Sequence, residues 1–265
     1  MTSFKIIKKY YSGNLEYLQK EIFKDLKIID KKSSYDDNLK LIDNPVYWEL
    51  IVNEKIKNEV EKFFQSKDIF FIPFTSIQYN SPAGYVHRDN KDRKFNKGSD
   101  WNEDFEKYKI VRVGIYISQS KTKKDSLTII LNSHKKENFL NFVGIKFYNI
   151  ILRLSRKLLK IPNFQIPFFS IFNKYKKLFF ESGDAIIFNP KLFHQGGKID
   201  YNFPKIAIFF AYGVRNKHSI NHMKFLKNYR KNSNPRNKYW YTEEEYPEEF
   251  KILLKKNNLL LNNKN

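Results

Sequence analysis

The sequence predicts a mainly β fold, a barrel or jelly roll with flanking helices, and two observations favour it. Short runs of β-branched and aromatic residues recur through the middle of the 265-residue chain, with turn-forming residues between them. These runs do not alternate regularly with helical patterns, which argues against a parallel α/β sheet. The predicted strands are Ile69–Tyr79, Ile110–Ser118, Leu127–Leu131, Asp184–Phe188 and Lys205–Tyr212.

Helical patterns precede and interrupt these strands. A helix is predicted around Leu15–Leu26, and Asn44 with Pro45 opens a second one that runs to Phe64 with one buried face. Apolar residues also recur at helical spacing among Lys and Arg between 138 and 180. We therefore predict one domain with a helical N-terminal flank (1–67), a β core (68–213) that carries a lid insertion (136–180), and a C-terminal extension (214–265).

Composition narrows the function classes. The chain has no cysteine, which excludes a disulfide scaffold, a thiolate metal site and a cysteine nucleophile. Its net charge of +21 fits a nucleic-acid or anionic-membrane partner. A coding sequence biased toward A and T would produce the same Lys-, Asn- and Ile-rich composition, so both explanations of the charge stay open.

The sequence has no evident signal peptide or membrane-spanning segment. The first residues lack an uninterrupted apolar run and a small-residue cleavage site, so we expect no signal peptide. The densest apolar stretches, such as Phe147–Leu152, are too short to span a bilayer. We expect a cytoplasmic protein, with peripheral membrane association as the alternative.

The motif with the most chemical content is His87-Arg-Asp89, read together with His194 about a hundred residues later. Residues two apart on a strand share a face, so His87 and Asp89 can occupy adjacent positions on one metal. His194 follows a predicted strand and a Pro-containing turn, and two glycines come after it. Two imidazoles and one carboxylate are the ligand set of a mononuclear non-haem iron site with open coordination positions.

Structural roles compete with this interpretation for every histidine. His87 alone would suit a turn histidine hydrogen-bonded to Asp89, and His194 alone a strand-end histidine at a rim. His134 is expected to stabilise a turn. His218 and His222 are four residues apart without a nearby carboxylate, so we predict structural or surface roles for them.

Five elements in a fixed order resemble the phytanoyl-CoA dioxygenase-like family of Fe(II)- and 2-oxoglutarate-dependent oxygenases, over roughly residues 68–213. They are the turn Asn80–Gly84 followed by His87-Arg-Asp89, the strand Val111–Ser118, the segment Ser126–Lys135 with Asn132 in place of a glycine, Gly183–Phe188 followed by His194, and a cation, Lys205, eleven residues beyond that histidine.

The resemblance implies a double-stranded β-helix (a jelly-roll, cupin-like core) that uses Fe(II), 2-oxoglutarate and O2. His87, Asp89 and His194 would hold the iron. Lys205 stands where the family usually has an arginine that pairs with the distal carboxylate of 2-oxoglutarate, and lysine keeps the charge without the bidentate fork.

Two further cosubstrate contacts are implied by the same resemblance. Gln78 stands where the family often has an amide that contacts 2-oxoglutarate. Gly196 replaces a small hydroxyl residue that often helps to hold the carboxylate, and Arg112 is a candidate to compensate. The alternative for Arg112 is a solvent-facing strand cation.

The implied reaction is hydroxylation of a C–H bond with release of succinate and CO2. Iron halogenases that resemble the family replace the carboxylate ligand with a small residue, whereas Asp89 is present, so hydroxylation is favoured; desaturation and ring closure stay open. The expected substrate is a small or carrier-linked metabolite, for which an anionic, glycan or lipid-associated compound is suggested by the surrounding cations. The other hypothesis is a non-catalytic basic module that binds nucleic acid or an anionic membrane.

The insertion bears on these alternatives. Cations interleave with apolar residues along it, as in a helix that lies at an anionic interface. The competing interpretation is a lid helix packed on the barrel with a solvated basic face. No base-stacking or groove-reading motif is evident, so a nucleic-acid partner is not expected.

Overall fold

The chain folds into two antiparallel sheets with surrounding helices, and the computed structural model describes residues 3–81, 84–89, 109–117, 126–134, 139–161, 164, 166, 169, 173–197, 204–233 and 241–262. The strands are β1 (Phe4–Ile7), β2 (Tyr35–Asp37), β3 (Ile69–Tyr79), β4 (Ile110–Tyr116), β5 (Ser126–Ile130), β6 (Tyr175–Phe179), β7 (Ala185–Phe188), β8 (His194–Gly196) and β9 (Ile206–Val214). The helices are α1 (Leu15–Asp25), α2 (Lys40–Asp43), α3 (Trp48–Val52), α4 (Glu54–Phe64), α5 (Phe139–Leu159), α6 (Lys217–Ser233) and α7 (Glu248–Lys256).

The larger sheet has six strands in the order β1-β7-β4-β9-β3-β2, and the smaller sheet has three in the order β6-β5-β8. Every registered pairing is antiparallel. The predicted strands are all present, with ends that differ by a few residues; the predicted end at Ser118 lies outside the described residues. The prediction of an antiparallel β core with flanking helices is confirmed.

Strand β4 shows how the core is divided. Val111, Val113 and Ile115 belong to a large apolar cluster that joins one face of the six-stranded sheet to α1, α2, α3, α4 and α7. Alternate residues point to the other face, where Tyr116 packs with residues of the smaller sheet. Arg112 lies on that second face, so the alternation of the strand carries its side chain into the space between the two sheets.

The prediction of one continuous helix from Asn44 to Phe64 is wrong. A 3₁₀ turn at Pro45–Tyr47 leads into α3, and α3 stops before Asn53. The backbone of Asn53 is extended (ψ 123°), and its side chain accepts a hydrogen bond from the Lys55 N–H, which caps a new helix. The apolar spacing continues across this break, so one buried face is retained although the helix is not continuous.

The flank and the insertion also contribute strands that the sequence did not indicate. Strands β1 and β2 are the two edges of the larger sheet. Strand β6, inside the predicted insertion, pairs with β5 as an edge of the smaller sheet. Its sequence, Tyr-Lys-Lys-Leu-Phe, has four exposed residues and one buried residue, and lysines on an edge strand discourage pairing with another chain.

Helix α5 occupies the first half of the insertion. Its Ile145, Tyr148 and Leu152 are buried against Val86 and Phe193, the residues that directly precede His87 and His194. The insertion therefore packs beside the segments that bear the predicted metal ligands. Within the described residues, no helix is both long and apolar enough to cross a membrane.

Candidate metal centre

The two histidines of the predicted site are neighbours across an antiparallel bridge. The His87 N–H donates to the His194 carbonyl at 2.9 Å, and the His194 N–H donates to the His87 carbonyl at 2.9 Å. Two residues on, the Asp89 N–H donates to the Pro190 carbonyl at 3.2 Å. This ladder fixes the three side chains on one side of the paired segments.

Both imidazoles present the same nitrogen to the site. Nδ1 of His87 lies 2.7 Å from the Tyr85 carbonyl, and Nδ1 of His194 lies 2.9 Å from the Leu192 carbonyl. Because a carbonyl oxygen only accepts hydrogen bonds, each Nδ1 carries a proton, so Nε2 is the nitrogen that each ring can offer to a metal. A backbone carbonyl that orients the ring in this way is the usual arrangement for a metal-binding histidine.

Asp89 completes the cluster. Its Oδ1 lies 3.4 Å from Nε2 of His194 and 3.9 Å from Nε2 of His87, and the three ligand atoms all lie within 4.8 Å of one another. Ligands in adjacent positions on a metal, each about 2.1 Å from it, lie roughly 3 Å apart. The buried Oδ2 accepts no hydrogen bond from the described residues. The donor set therefore fits a divalent transition metal.

Arg112 sets the charge state of this carboxylate. Its Nε lies 3.6 Å from Oδ2 of Asp89. Burial raises the pKa of Asp89, but the positive charge of Arg112 opposes burial, and that pKa is held well below its usual range. The carboxyl group is therefore ionised at neutral pH, which is the form that binds metals.

Arg112 is itself held in place by aromatic rings. Its guanidinium carbon lies 3.7 Å from the ring centroid of Phe74 and 5.3 Å from that of Phe209. The residue is only 7% exposed, so the solvent-facing alternative is wrong. The sequence alone could not decide whether Arg112 faces solvent. Both faces of β4 are buried, so the strand has no polar face with which the position of Arg112 could be compared.

The turn after β5 supports both histidine segments. The Ser133 hydroxyl accepts from the Phe193 N–H at 2.9 Å, and its carbonyl accepts from Arg88 at 2.8 Å. The Arg88 guanidinium lies 4.1 Å from the Phe193 ring centroid. Asn132 has φ 60°, a left-handed conformation that asparagine tolerates, which explains why it can stand where the resembled family has glycine.

A cavity of about 260 Å³ opens beside the cluster. The three predicted ligands line it together with the other predicted site residues, Gln78, Arg112 and Lys205. Gly196 is also part of the wall, where the absence of a side chain leaves space. The remaining lining residues in the described part of the chain are Ser81, Gly84, Tyr116, Leu127, Phe188 and Phe209.

Lys205 is fixed at the start of β9 by Asn80. The Asn80 Oδ1 accepts from the Lys205 N–H at 2.9 Å, and the Asn80 N–H donates to the Lys205 carbonyl at 2.8 Å. Lys205 is 9% exposed. The backbone of Lys205, the second cation of the cavity wall, is thus held in place by Asn80.

The remaining histidines, His134, His218 and His222, are not members of this cluster. His218 and His222 are buried on α6, and the His222 ring packs edge-on against Phe74 with centroids 5.7 Å apart. A structural role fits this position, and the surface alternative is wrong. His134 lies in the turn that follows β5, as predicted.

Three supporting residues were not predicted. Asn149 bonds to the backbone of Val86, Tyr148 donates to the Gln195 side chain at 3.1 Å, and Gln195 donates to the Gly84 carbonyl at 2.9 Å. These contacts join residues between 47 and 111 positions apart. No local sequence pattern carries that information.

Comparison with known proteins supports the fold. No family model matches the sequence, and no curated protein matches it. Among solved structures, the non-haem α-ketoglutarate-dependent epimerase SnoN from nogalamycin biosynthesis has a TM-score of 0.56 and 11% identity, covering 93% of each chain. HygX from Streptomyces hygroscopicus, solved with nickel and 2-oxoglutarate, has a TM-score of 0.52 and 18% identity. The match covers 80% of this chain and 82% of HygX.

A third structure extends the comparison. EctD from S. alaskensis with bound Fe has a TM-score of 0.55 and 13% identity, covering 81% of this chain and 73% of its own. Likeness at such low identity establishes a shared fold, which here is an antiparallel jelly-roll core with flanking helices, as the sequence predicted.

Proposed function

We propose that this chain is a non-haem Fe(II)- and 2-oxoglutarate-dependent oxygenase. One observation carries the proposal: two imidazole Nε2 atoms and an ionised carboxylate converge at the wall of a cavity that also contains Lys205. Two histidines and one carboxylate with open positions are typical of non-haem iron enzymes that use oxygen. The fold shared with SnoN, HygX and EctD supports the same assignment.

In this proposal His87, Asp89 and His194 hold Fe(II), and their backbone bridge keeps the three ligands on one side of the metal. Bound Fe(II) with 2-oxoglutarate and O2 supplies the oxidising chemistry, which releases succinate and CO2 and cleaves a substrate C–H bond. The chain supplies a fixed donor set, an electrostatic environment that keeps Asp89 ionised, and a partly buried site.

Lys205 is the residue we assign to the distal carboxylate of 2-oxoglutarate. Arg112 already faces the Asp89 carboxylate at 3.6 Å, so its charge is partly balanced within the protein. Lys205 has its backbone fixed by Asn80 and belongs to the cavity wall. Gln78 lies on the same wall and is the candidate for a neutral contact with the cosubstrate.

We further propose hydroxylation as the outcome and membership of the phytanoyl-CoA dioxygenase-like family. Asp89 is itself the third protein ligand, so no coordination position on the metal is left vacant for a halide. Two structural neighbours are described as an epimerase and a carbocyclase, and these are the competing outcomes on the same fold. A cavity of about 260 Å³ lies near the lower end of the range for small-molecule sites, so we propose a small metabolite, or the end of a carrier-linked one, as the substrate.

The experiment that tests the proposal measures succinate formed from 2-oxoglutarate by the purified protein with Fe(II) and O2. We expect slow turnover without substrate, acceleration by the correct metabolite, and loss of turnover with a chelator. Under anaerobic conditions, Fe(II) and 2-oxoglutarate together should give a visible charge-transfer band.

Asp89→Ala should abolish both the band and succinate formation, whereas Asp30→Ala, at an exposed carboxylate, should leave both unchanged. A folded protein that binds neither Fe(II) nor 2-oxoglutarate would overturn the proposal. So would succinate formation that survives Asp89→Ala. With an active protein, mass analysis of the product distinguishes an added oxygen from epimerisation or ring closure.

A further inference from the structure

Helix α5 has two apolar faces, and among the described residues only the inner face has apolar packing partners. The inner face is buried: Ile145, Tyr148 and Leu152 pack against Val86, Ile130 and Phe193. The inner face accounts for the attachment of α5 to the core. It does not account for the apolar residues on the opposite side of this 21-residue helix.

The outer face is apolar and exposed. Phe147, Ile150, Leu154 and Leu158 are 58%, 55%, 52% and 80% exposed, and their spacing of three and four residues places them in one row. Val143, four residues before Phe147, extends the row to a length of roughly 22 Å. Ten of the fourteen large apolar side chains that are exposed in the described part of the chain lie between 143 and 179. Apolar exposure is thus concentrated here, which marks an interaction surface.

One flank of this row is basic. Lys146, Arg153, Lys157 and Lys160 are exposed, and helical geometry places them side by side along the same edge of the apolar row. The sequence from Phe139 to Ile161 contains no Asp or Glu. Arg156 is directed elsewhere, since it donates to the Phe164 carbonyl at 2.8 Å. The surface is therefore an apolar stripe beside a row of cations that no acidic residue of α5 balances.

We propose that the outer face of α5 binds the surface of an anionic lipid membrane, with the helix lying in the plane of the interface. Its apolar side chains would enter the boundary between headgroups and acyl chains, while the long stems of Lys and Arg would let their charged ends reach the headgroups. Clustered cations beside an apolar face are what anionic lipid attracts. The proposal does not depend on the reaction proposed above.

The charge of α5 favours a lipid surface over a second copy of this chain as the partner of its outer face. Two copies that joined through this face would bring two rows of cations together, with no acidic residue on either α5 to balance them. An anionic membrane balances the cations and accepts the apolar row at the same time. No described helix is suited to span the bilayer, so the predicted mode is binding along the surface.

The test is co-sedimentation of the intact protein with vesicles of phosphatidylcholine alone or with phosphatidylserine added. We expect binding to the anionic vesicles only, and weaker binding as salt is raised. Replacing Lys146, Arg153 and Lys157 together by Gln should lower the partition coefficient by roughly a hundredfold at low salt. Phe147→Glu with Leu154→Glu should reduce binding to background.

Two matched controls keep the result specific. The triple change Lys20→Gln, Lys24→Gln and Lys256→Gln removes the same charge from exposed positions elsewhere, and Ile29→Glu changes an apolar side chain that is 94% exposed. Both should bind vesicles as the unmodified protein does. Equal loss in the lysine controls would show that only total charge matters, and would overturn the proposal.

A depth measurement adds an independent readout. The chain has no cysteine, so Leu154→Cys introduces a single labelling site for an environment-sensitive fluorophore. Its emission should shift to shorter wavelength with anionic vesicles, whereas a label at Ile252→Cys, on α7, should not respond. Failure to bind vesicles at low salt, or a dimer in light scattering that Phe147→Glu with Leu154→Glu dissociates, would overturn the proposal, the latter in favour of a second copy.

Discussion

Asn149 holds the backbone of Val86 with both ends of its amide. Its Nδ2 donates to the Val86 carbonyl at 2.9 Å, and its Oδ1 accepts from the Val86 N–H at 3.0 Å. Val86 is the residue before His87, so a helix of the insertion is joined to the strand segment that bears the predicted metal ligands. This pair makes α5 part of the site's support rather than a detached cover.

Loss of this amide should loosen the metal site. We predict that Asn149→Ala lowers the affinity for Fe(II) by 10- to 100-fold, the range typical of residues that orient metal ligands. The physical reason is that Val86 loses both backbone partners, so that the His87 ring is no longer held at one position. Anaerobic Fe(II) titration followed by calorimetry measures the effect.

Asn58→Ala is the control, because Asn58 is exposed on α4 and has the same side chain. Its Fe(II) affinity should equal that of the unmodified protein. If Asn149→Ala lowered only the melting temperature and left Fe(II) affinity unchanged, the contact would be structural and the positioning role would be wrong.

Arg112 should stabilise the fold in a pH-dependent way. The pKa of Asp89 in the folded protein lies below its unfolded value, so the carboxylate contributes stability that is present above about pH 4 and is lost as the pH falls through the folded pKa. Arg112→Met leaves a buried carboxylate without its cation. We expect a loss of about 3 kcal/mol in the free energy of unfolding at pH 7, with chelator present.

The same substitution should cost less in acid, because a protonated Asp89 needs no cation. Urea unfolding between pH 7 and the lowest pH at which the protein stays folded measures the difference. The double variant Arg112→Met with Asp89→Asn should recover part of the loss at neutral pH. A penalty that is independent of pH would show that Arg112 acts by packing on Phe74 alone.

Gly183 should not tolerate a side chain. Its φ is +86°, and an added Cβ would lie 2.5 Å from the Tyr11 carbonyl oxygen, a backbone atom. The left-handed backbone alone costs about 1–2 kcal/mol for alanine. We expect Gly183→Ala to lower Tm by at least roughly 4 °C in a chain of this size. Gly84→Ala, where an added Cβ meets nothing within 4 Å, should leave Tm nearly unchanged.

Local patterns predicted most of the strands and the pairing of His87 with Asp89, and the reason is physical. A strand such as β3 is a run of β-branched and aromatic residues, and side chains two apart share its face, so both follow from adjacent residues. His87 and Asp89 needed no more than that rule. Their pairing with His194 needed the resemblance to a known order of motifs, because it joins distant segments.

The features that were missed depend on distant parts of the chain. The break at Asn53 keeps the apolar spacing of one continuous helix, so periodicity cannot reveal it. The burial of Arg112 depends on the smaller sheet that covers its face, and Asn149 contacts a residue 63 positions away. For α5 the sequence left two interpretations open, an interfacial helix and a packed lid helix, since a helix with apolar residues on two sides gives a pattern typical of an ordinary buried one.

Lys205 provides the sharpest test of the cosubstrate assignment. Lys205→Met removes the charge but keeps much of the apolar stem, so a lost charge-assisted hydrogen bond of about 1.5–3 kcal/mol should raise the KM for 2-oxoglutarate by roughly 10- to 150-fold. Lys205→Arg should retain most of the affinity, because the guanidinium also pairs with carboxylates.

Lys176→Met, at an exposed lysine of β6, is the control and should change neither kcat nor KM. Fe(II) affinity should be the same in all of these variants, since Lys205 is not among the predicted ligands. A KM that is unchanged in Lys205→Met would assign the carboxylate contact to Arg112, and a loss of Fe(II) binding would show instead that the substitution disturbs the site as a whole.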